Sequence, residues 1–225
     1  MPTDAARPAR PRRAPADDGL FLVGVVGRAG AGKSTVAQAL ADGGAEVIRA
    51  DEIGHEVTDR DPEVRAGLMR DYGMDVYRAD GTLDRPRVAA RVFADPEARA
   101  RLDRLVHPRI LARIEESVRS LRARGFRGVV VIDAALMLDW GLERACDAVL
   151  AVVADEEEQV RRLAEQRGWS AAEAHARLGV QRAPEAFRAA ADVTLENTGS
   201  RAALATAARA AVDRLRRARE RGAAC

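Results

Sequence analysis

Residues 20–34 run Leu20-Phe-Leu-Val-Gly-Val-Val-Gly27-Arg-Ala-Gly-Ala-Gly-Lys-Ser34. The first half is an uninterrupted apolar run, the mark of a strand buried on both faces of a parallel sheet. The second half matches G-x-x-x-x-G-K-[ST], the phosphate-binding loop. Glycines in that motif let the backbone curl so that successive N–H groups face phosphate oxygens, and the positive end of the next helix adds to the field. The motif needs a strand before it and a helix after it. Residues 22–26 supply the strand, and Val36, Ala37, Leu40 and Ala41 supply an apolar helical face. On this reading Gly27, Gly30, Ala31, Gly32, Lys33, Ser34 and Thr35 enclose nucleotide phosphates. Lys33 reaches the β- and γ-phosphates and the Ser34 hydroxyl holds Mg²⁺.

The same β-then-α rhythm extends outward from this segment. Apolar segments at 46–50, 128–134, 148–153 and 193–196 read as four further strands with helix-length stretches between them. That alternation predicts a five-stranded parallel α/β sheet flanked by helices. Asp61-Pro62 and Asp95-Pro96 each place an N-cap aspartate before a proline at the first helical position. Asp155 with Glu158, and Ser170 with Glu173, have capping-box spacing. Ser200 is placed to cap a last helix running to about 221. Two stretches exceed a simple crossover. Residues of about 53–124 read as an inserted helical substrate lobe, and about 155–190 as an arginine-rich helical lid. Residues 1–18, with four prolines and four arginines, read as a disordered tail before a domain at 19–221.

Composition narrows the function. The 225 residues carry 37 basic and 35 acidic side chains, a formal net charge of +2, and only eight aromatics. Neither a basic stripe nor a stacking platform for nucleic acid is evident. The apolar runs are far short of a membrane span, and the start lacks the apolar core of a secretory signal, so a cytoplasmic protein is expected. Two cysteines make no disulfide framework, and the three histidines show no metal-ligand spacing. Of the 37 basic residues, 36 are arginine and one is lysine, Lys33. A compact ammonium with three rotatable donors, unlike a planar guanidinium fork, is required at that site. A single lysine in the loop also excludes the Asn/Thr-Lys-x-Asp element that reads guanine. No ABC-type signature is present, which leaves a small-molecule kinase.

Further candidates follow from position. Asp51 closes the second strand, where strand C-termini line the ligand crevice of a doubly wound sheet. There it serves an acceptor hydroxyl as base or orienter, or caps a helix starting at Glu52. Asp133 ends the apolar run at 129–132 and reads either as a carboxylate holding Mg²⁺ through water or as a turn cap. His107 precedes Pro108 within a helical stretch, which predicts a break between two helices there. Arg161, Arg162, Arg167, Arg177, Arg182 and Arg188 form either a solvated face or a lid that neutralises phosphoryl charge.

The chain resembles the dephospho-CoA kinase family over about residues 20–215. Residues 27–35 look like the family's Gly-Gly-Ile-Gly-Ser-Gly-Lys-Ser-Thr, and 47–51 resemble its Val-Ile-Asp-Ala-Asp. Ala79-Asp-Gly-Thr-Leu-Asp-Arg85, Arg91-Val-Phe93, Asp95-Pro-Glu97 and Leu105-Val-His-Pro108 match in order. Gln181, Ala191-Asp192 and Asn197-Thr-Gly199 resemble the family's ending. The resemblance implies MgATP-dependent phosphorylation of the ribose 3′-hydroxyl of dephospho-CoA. Asp51 would then be the base, Arg85 and His107 would belong to the acceptor lobe, and Asn197 and Gly199 would lie near adenine. Arg167, Arg182 and Arg188 would be the lid arginines. Such a protein would be a monomer or weak homo-oligomer that engages neither nucleic acid nor membrane. The family's first aspartate in Asp-Ala-Asp is Arg49 here, its Pro-Leu-Leu-Phe-Glu is Ala135-Leu-Met-Leu-Asp139, and its basic lid positions hold Pro184 and Phe187. Arg182 and Arg188 stand close enough in sequence to take over that charge. A rival kinase on the same scaffold, and a family member that binds nucleotide or CoA without turnover, are the alternatives.

Overall fold

The computed structural model describes residues 19–222 apart from residue 94, so the arginine- and proline-rich segment at 1–18 lies outside the described residues. Two compact units divide the described residues, one comprising 19–48 and 125–222, the other 49–124.

The first unit is built on a five-stranded sheet in the order β2-β3-β1-β4-β5. The strands are β1 (Leu20–Val26), β2 (Glu46–Arg49), β3 (Gly128–Asp133), β4 (Ala148–Val153) and β5 (Val193–Glu196). β1 pairs in parallel with β3 and β4, and β4 with β5. All seven residues of β1 and all six of β4 are buried, which is why both read as continuous apolar runs. On one face, Phe21, Val23 and Val25 pack with Val36, Ala37 and Leu40 of α1 (Lys33–Ala41) and with Leu204, Ala208, Ala211 and Val212 of α9 (Arg201–Gly222). β1 and β3 each come out near their expected limits, though β2 and β3 both end one residue early.

Two aspartates pin strand entrances. Asp147, just before β4, accepts from Leu22 N at 2.8 Å while its own N–H donates to Leu22 O at 2.8 Å, and its carboxylate pairs with Arg219. Asp192, before β5, exchanges the same pair of bonds with Val149. The family-like Ala-Asp pair at 191–192 therefore has a structural task in the sheet.

Helices α6 (Glu156–Arg167), α7 (Ala171–Gly179) and α8 (Pro184–Ala190) also belong to this unit. Ser170 and Glu173 close a full capping box at α7. At α6 only half of the expected box forms: Asp155 accepts from Glu157 N and Glu158 N, but the Glu158 side chain turns to Arg161 and Arg162 instead. Two guanidinium donors outcompete a single backbone N–H for the Glu158 carboxylate.

The second unit is helical: α2 (Ala50–Arg60), α3 (Pro62–Tyr72), α4 (Arg85–Phe93) and α5 (Pro96–Ala123). Asp61 and Asp95 cap α3 and α5 ahead of their prolines, as the sequence predicts. Two details differ. A 3₁₀ turn at Met74–Val76 and a single antiparallel Tyr77–Leu83 bridge interrupt what reads as purely helical sequence. No helix break occurs at His107-Pro108 either: α5 runs unbroken over 28 residues with Pro108 inside it. Buried Val106, Ile110, Ile114, Val118 and Leu121 continue one apolar stripe across the proline, so packing overrides the local preference against helix. Pro108 still withholds the N–H that would bond the Arg104 carbonyl four residues back. Pro108→Ala should therefore raise the stability of this helix by about 1–3 kcal/mol, read as a higher unfolding midpoint. A lower midpoint would mean that the helix geometry around the ring is required by its packing.

Candidate functional site: the phosphate-binding loop and its anchors

The loop leaves β1 at Gly27, whose φ of +148° brings it against β4, and a Cβ there would lie 2.3 Å from the Val152 carbonyl oxygen. No larger residue fits. Gly32 closes the loop at φ +113° as the N-cap of α1, with no side chain capping the helix. The first-turn N–H groups of a helix have no acceptor within the helix itself, and Lys33, Ser34 and Thr35 stand at that terminus, which is the kind of place where anions bind. Ser34 is exposed there and Lys33 and Thr35 are half-buried. The Lys33 ammonium folds back onto the loop, donating to Gly27 O at 2.9 Å and Arg28 O at 3.1 Å.

Each residue between Gly27 and Gly32 is held by a side chain from elsewhere in the same unit. Arg28, 8% exposed, donates through a terminal nitrogen to Glu156 at 2.8 Å. Ala29 N–H donates to Gln181 Oε1 at 2.9 Å. Gly30 O accepts from Arg162 at 3.2 Å, and Arg162 is itself oriented by Glu158 at 2.9 Å. Ala31 O accepts from Asn197 Nδ2 at 2.8 Å. Beneath the loop, Gln159 is buried and donates to Ala154 O at 2.7 Å.

The expected site residues divide accordingly. Asp133, at the end of β3, stands in register with Val25, two residues before the loop begins, and so at its flank. Asn197 follows β5 and is turned into the loop, while Gly199 is exposed beyond it. The three expected lid arginines are engaged elsewhere. Arg167 lies over the Trp169 ring, which Arg177 also covers at 4.3 Å; Arg182 pairs with Asp139 at 2.7 Å; Arg188 pairs with Glu196. Phe187 is buried and Pro184 opens α8, so these two positions serve packing and helix start rather than phosphate contact. Arg28 and Arg162 meet the loop instead. Arg162 stood among six indistinguishable arginines in the sequence, and nothing local marked Arg28.

In the helical unit, Asp51 is the exposed second residue of α2, whose N-cap is Arg49. The helix starts at Ala50, so Asp51 does not cap it; its carboxylate lies in the first turn, where the helix dipole favours negative charge. His107 Nε2 lies 3.2 Å from Asp103. Arg85 donates to Thr58 Oγ1 at 3.0 Å and to Asp59 at 3.1 Å, and Asp59 also accepts from Leu83 N at 2.9 Å. Arg85 thus ties α2 to the turn before α4. Tyr77 closes the same cluster, its hydroxyl donating to Thr58 O, and burial pushes its phenol up to about 12.

Two carboxylates beside the loop are acidified. The Arg28 hydrogen bond, followed by that of His175, holds Glu156 below the usual carboxylate range. Arg161, with Arg162 adding to it, draws Glu158 down to about 2. Both ion pairs are therefore intact above the ordinary glutamate range and lost only as acidification reaches the depressed values. A carboxyl NMR titration should show Glu156 ionising below an ordinary glutamate, and Arg28→Ala should move it back up. An unmoved midpoint in that variant would remove Arg28 as the cause.

The family model described as dephospho-CoA kinase matches residues 21–203. A dephospho-CoA kinase of Mycolicibacterium paratuberculosis is 42% identical over 185 residues, which cover 82% of this chain and 45% of that one. The chain thus spans about half the length of that relative. One from Corynebacterium glutamicum is 38% identical over 80% of this chain and 92% of its own. A Thermus thermophilus crystal structure superposes with a TM-score of 0.73 at 32% identity, covering 87% of this chain and 97% of its own.

Proposed function

Because the chain belongs to the dephospho-CoA kinase family, we propose that it transfers the γ-phosphoryl group of ATP to the 3′-hydroxyl of dephospho-CoA, giving CoA and ADP. The observation that carries this reading is a loop already curled around an uncapped helix terminus, with Lys33 held beside it on two carbonyls. The N–H groups of the first turn of α1 bind phosphate oxygens. Lys33 exchanges its neutral carbonyl partners for the β- and γ-phosphates and stabilises the charge that develops as the phosphoryl group moves. Asp51 orients the acceptor hydroxyl and takes its proton at a carboxylate oxygen. His107 assists acceptor binding, and Arg85 acts at a distance by fixing α2.

Among the described residues no cluster of three or more His, Cys, Asp or Glu side chains could cage a metal. Mg²⁺ is usually held by one or two protein oxygens, water and substrate phosphates. The Ser34 hydroxyl and the Asp133 carboxylate are the residues that would hold it. When bound, it neutralises charge on the β- and γ-phosphates. No helix among the described residues is long and apolar enough to cross a membrane. We place the reaction in the cytoplasm, where ATP is supplied, and expect a monomer or weak homo-oligomer acting on small molecules alone.

Phosphate transfer from MgATP should occur to dephospho-CoA, identified by product mass, and not to adenosine or AMP. Lys33→Ala should lower turnover by roughly a hundredfold or more, as does loss of other transition-state donors. Asp51→Asn should cost about 10²–10⁴-fold, the usual worth of a general base. ATP binding without transfer to any acceptor would overturn the kinase reading.

A further inference from the structure

We infer that Arg162 and Gln181 are positioning residues for ATP, acting by holding the phosphate-binding loop in its binding shape before nucleotide arrives. The inference rests on the kinase reading above and deepens it. Its ground is the pattern of anchoring: the four consecutive residues Arg28, Ala29, Gly30 and Ala31 are gripped by Glu156, Gln181, Arg162 and Asn197, one side chain each. Three of the four anchors come from the arginine-rich segment between β4 and β5 and the fourth from the end of β5.

Such a grip has a physical reason. Gly27, Gly30 and Gly32 all have positive φ, and glycine loses more conformational freedom on ordering than any other residue. A loop left to itself would populate many shapes, and phosphate binding would bear the ordering cost. The anchors remove that cost. They also separate two tasks within the motif. The Ala29 N–H is taken by Gln181, and Ala31 N–H donates to Arg28 O, so neither faces a ligand. At Ala29 and Ala31 the backbone N–H groups serve the shape of the loop, and the first turn of α1 supplies donors.

Arg162 suits this role better than the other arginines of its segment. Its side chain is 17% exposed, against 56% for neighbouring Arg161, whose guanidinium is spent on Glu158 and Glu165. Glu158 and Gly30 O fix opposite parts of the Arg162 fork, so the contact is geometrically defined. Gln181 is fixed from the other side, its Nε2 donating to Arg177 O at 3.2 Å.

Equilibrium binding of ATP and of dephospho-CoA should be measured separately for the unaltered chain, Arg162→Ala, Arg162→Lys and Gln181→Ala. Each alanine variant should bind ATP about tenfold more weakly, the scale of one lost hydrogen bond involving a charged or buried group, with dephospho-CoA affinity unchanged. Arg162→Lys keeps one donor for Gly30 O and should recover most of the loss. Far-ultraviolet circular dichroism and the unfolding midpoint check that each variant is folded, and Gln181→Ala carries the test if Arg162→Ala is not. ATP affinity unchanged in a folded alanine variant would overturn the inference. So would equal weakening of both ligands, or an Arg162→Lys variant as weak as Arg162→Ala. An unaltered chain that binds no ATP would instead overturn the kinase reading, and the inference with it.

Discussion

The approach of Gly27 to the Val152 carbonyl sets the geometry from which the rest of the site follows. β1 is the central strand, hydrogen-bonded to β3 and β4, and it must release its chain upward without breaking either ladder. Only a residue without Cβ can turn there, because the neighbouring backbone lies where the side chain would be. The turn directs residues 28–31 across the carboxyl ends of the strands and delivers α1 with its N-terminus facing the same space. In an open parallel sheet that edge is where ligands bind. Asp133 and Asn197, at the ends of β3 and β5, reach it because their strands are in register with, or one strand removed from, β1.

Much of this was legible because burial on two faces leaves a plain trace. β1, β4 and β5 have the limits that their apolar runs predict, and the proline-marked caps at Asp61 and Asp95 hold. Local signals failed where a stronger competing interaction opposed them. The preference of His107 against helix before proline yields to an apolar stripe running the length of α5. Glu158 gives up a cap for two arginines. The Tyr77–Leu83 bridge is one pair around a turn, too short to leave a period in the sequence.

The loop's anchors were hidden for a different reason. Arg28 and Glu156 are 128 residues apart, Gly30 and Arg162 are 132, and Ala31 and Asn197 are 166. Spacing along the chain says nothing about such pairs, since the fold alone brings them together. The motif resemblance picked out Gln181 and Asn197 and placed Asn197 near adenine, but it said nothing of what either side chain holds. Here both side chains are occupied with the backbone of the loop. Arg182 and Arg188, singled out by position, form ion pairs with Asp139 and Glu196.

The skew in basic residues is consistent with this division of labour. A guanidinium is a rigid fork, suited to bridging two fixed acceptors, as Arg162 does between a carboxylate and a carbonyl. Arg85 does the same, one terminal nitrogen donating to Thr58 and Asp59 and the other to Leu83 O. An ammonium on a flexible stem has three donors that rotate, so it can exchange acceptors without moving the backbone that carries it. Lys33 is placed for such an exchange, held by two neutral carbonyls that compete weakly with a phosphate's charge. Arginine at this position would have to fit a planar fork between Gly27 O and Arg28 O and then withdraw it around the curled loop. The rigid bridge that Arg162 makes and the exchange of acceptors proposed for Lys33 call for different cations, and Lys33 is the single lysine of the sequence.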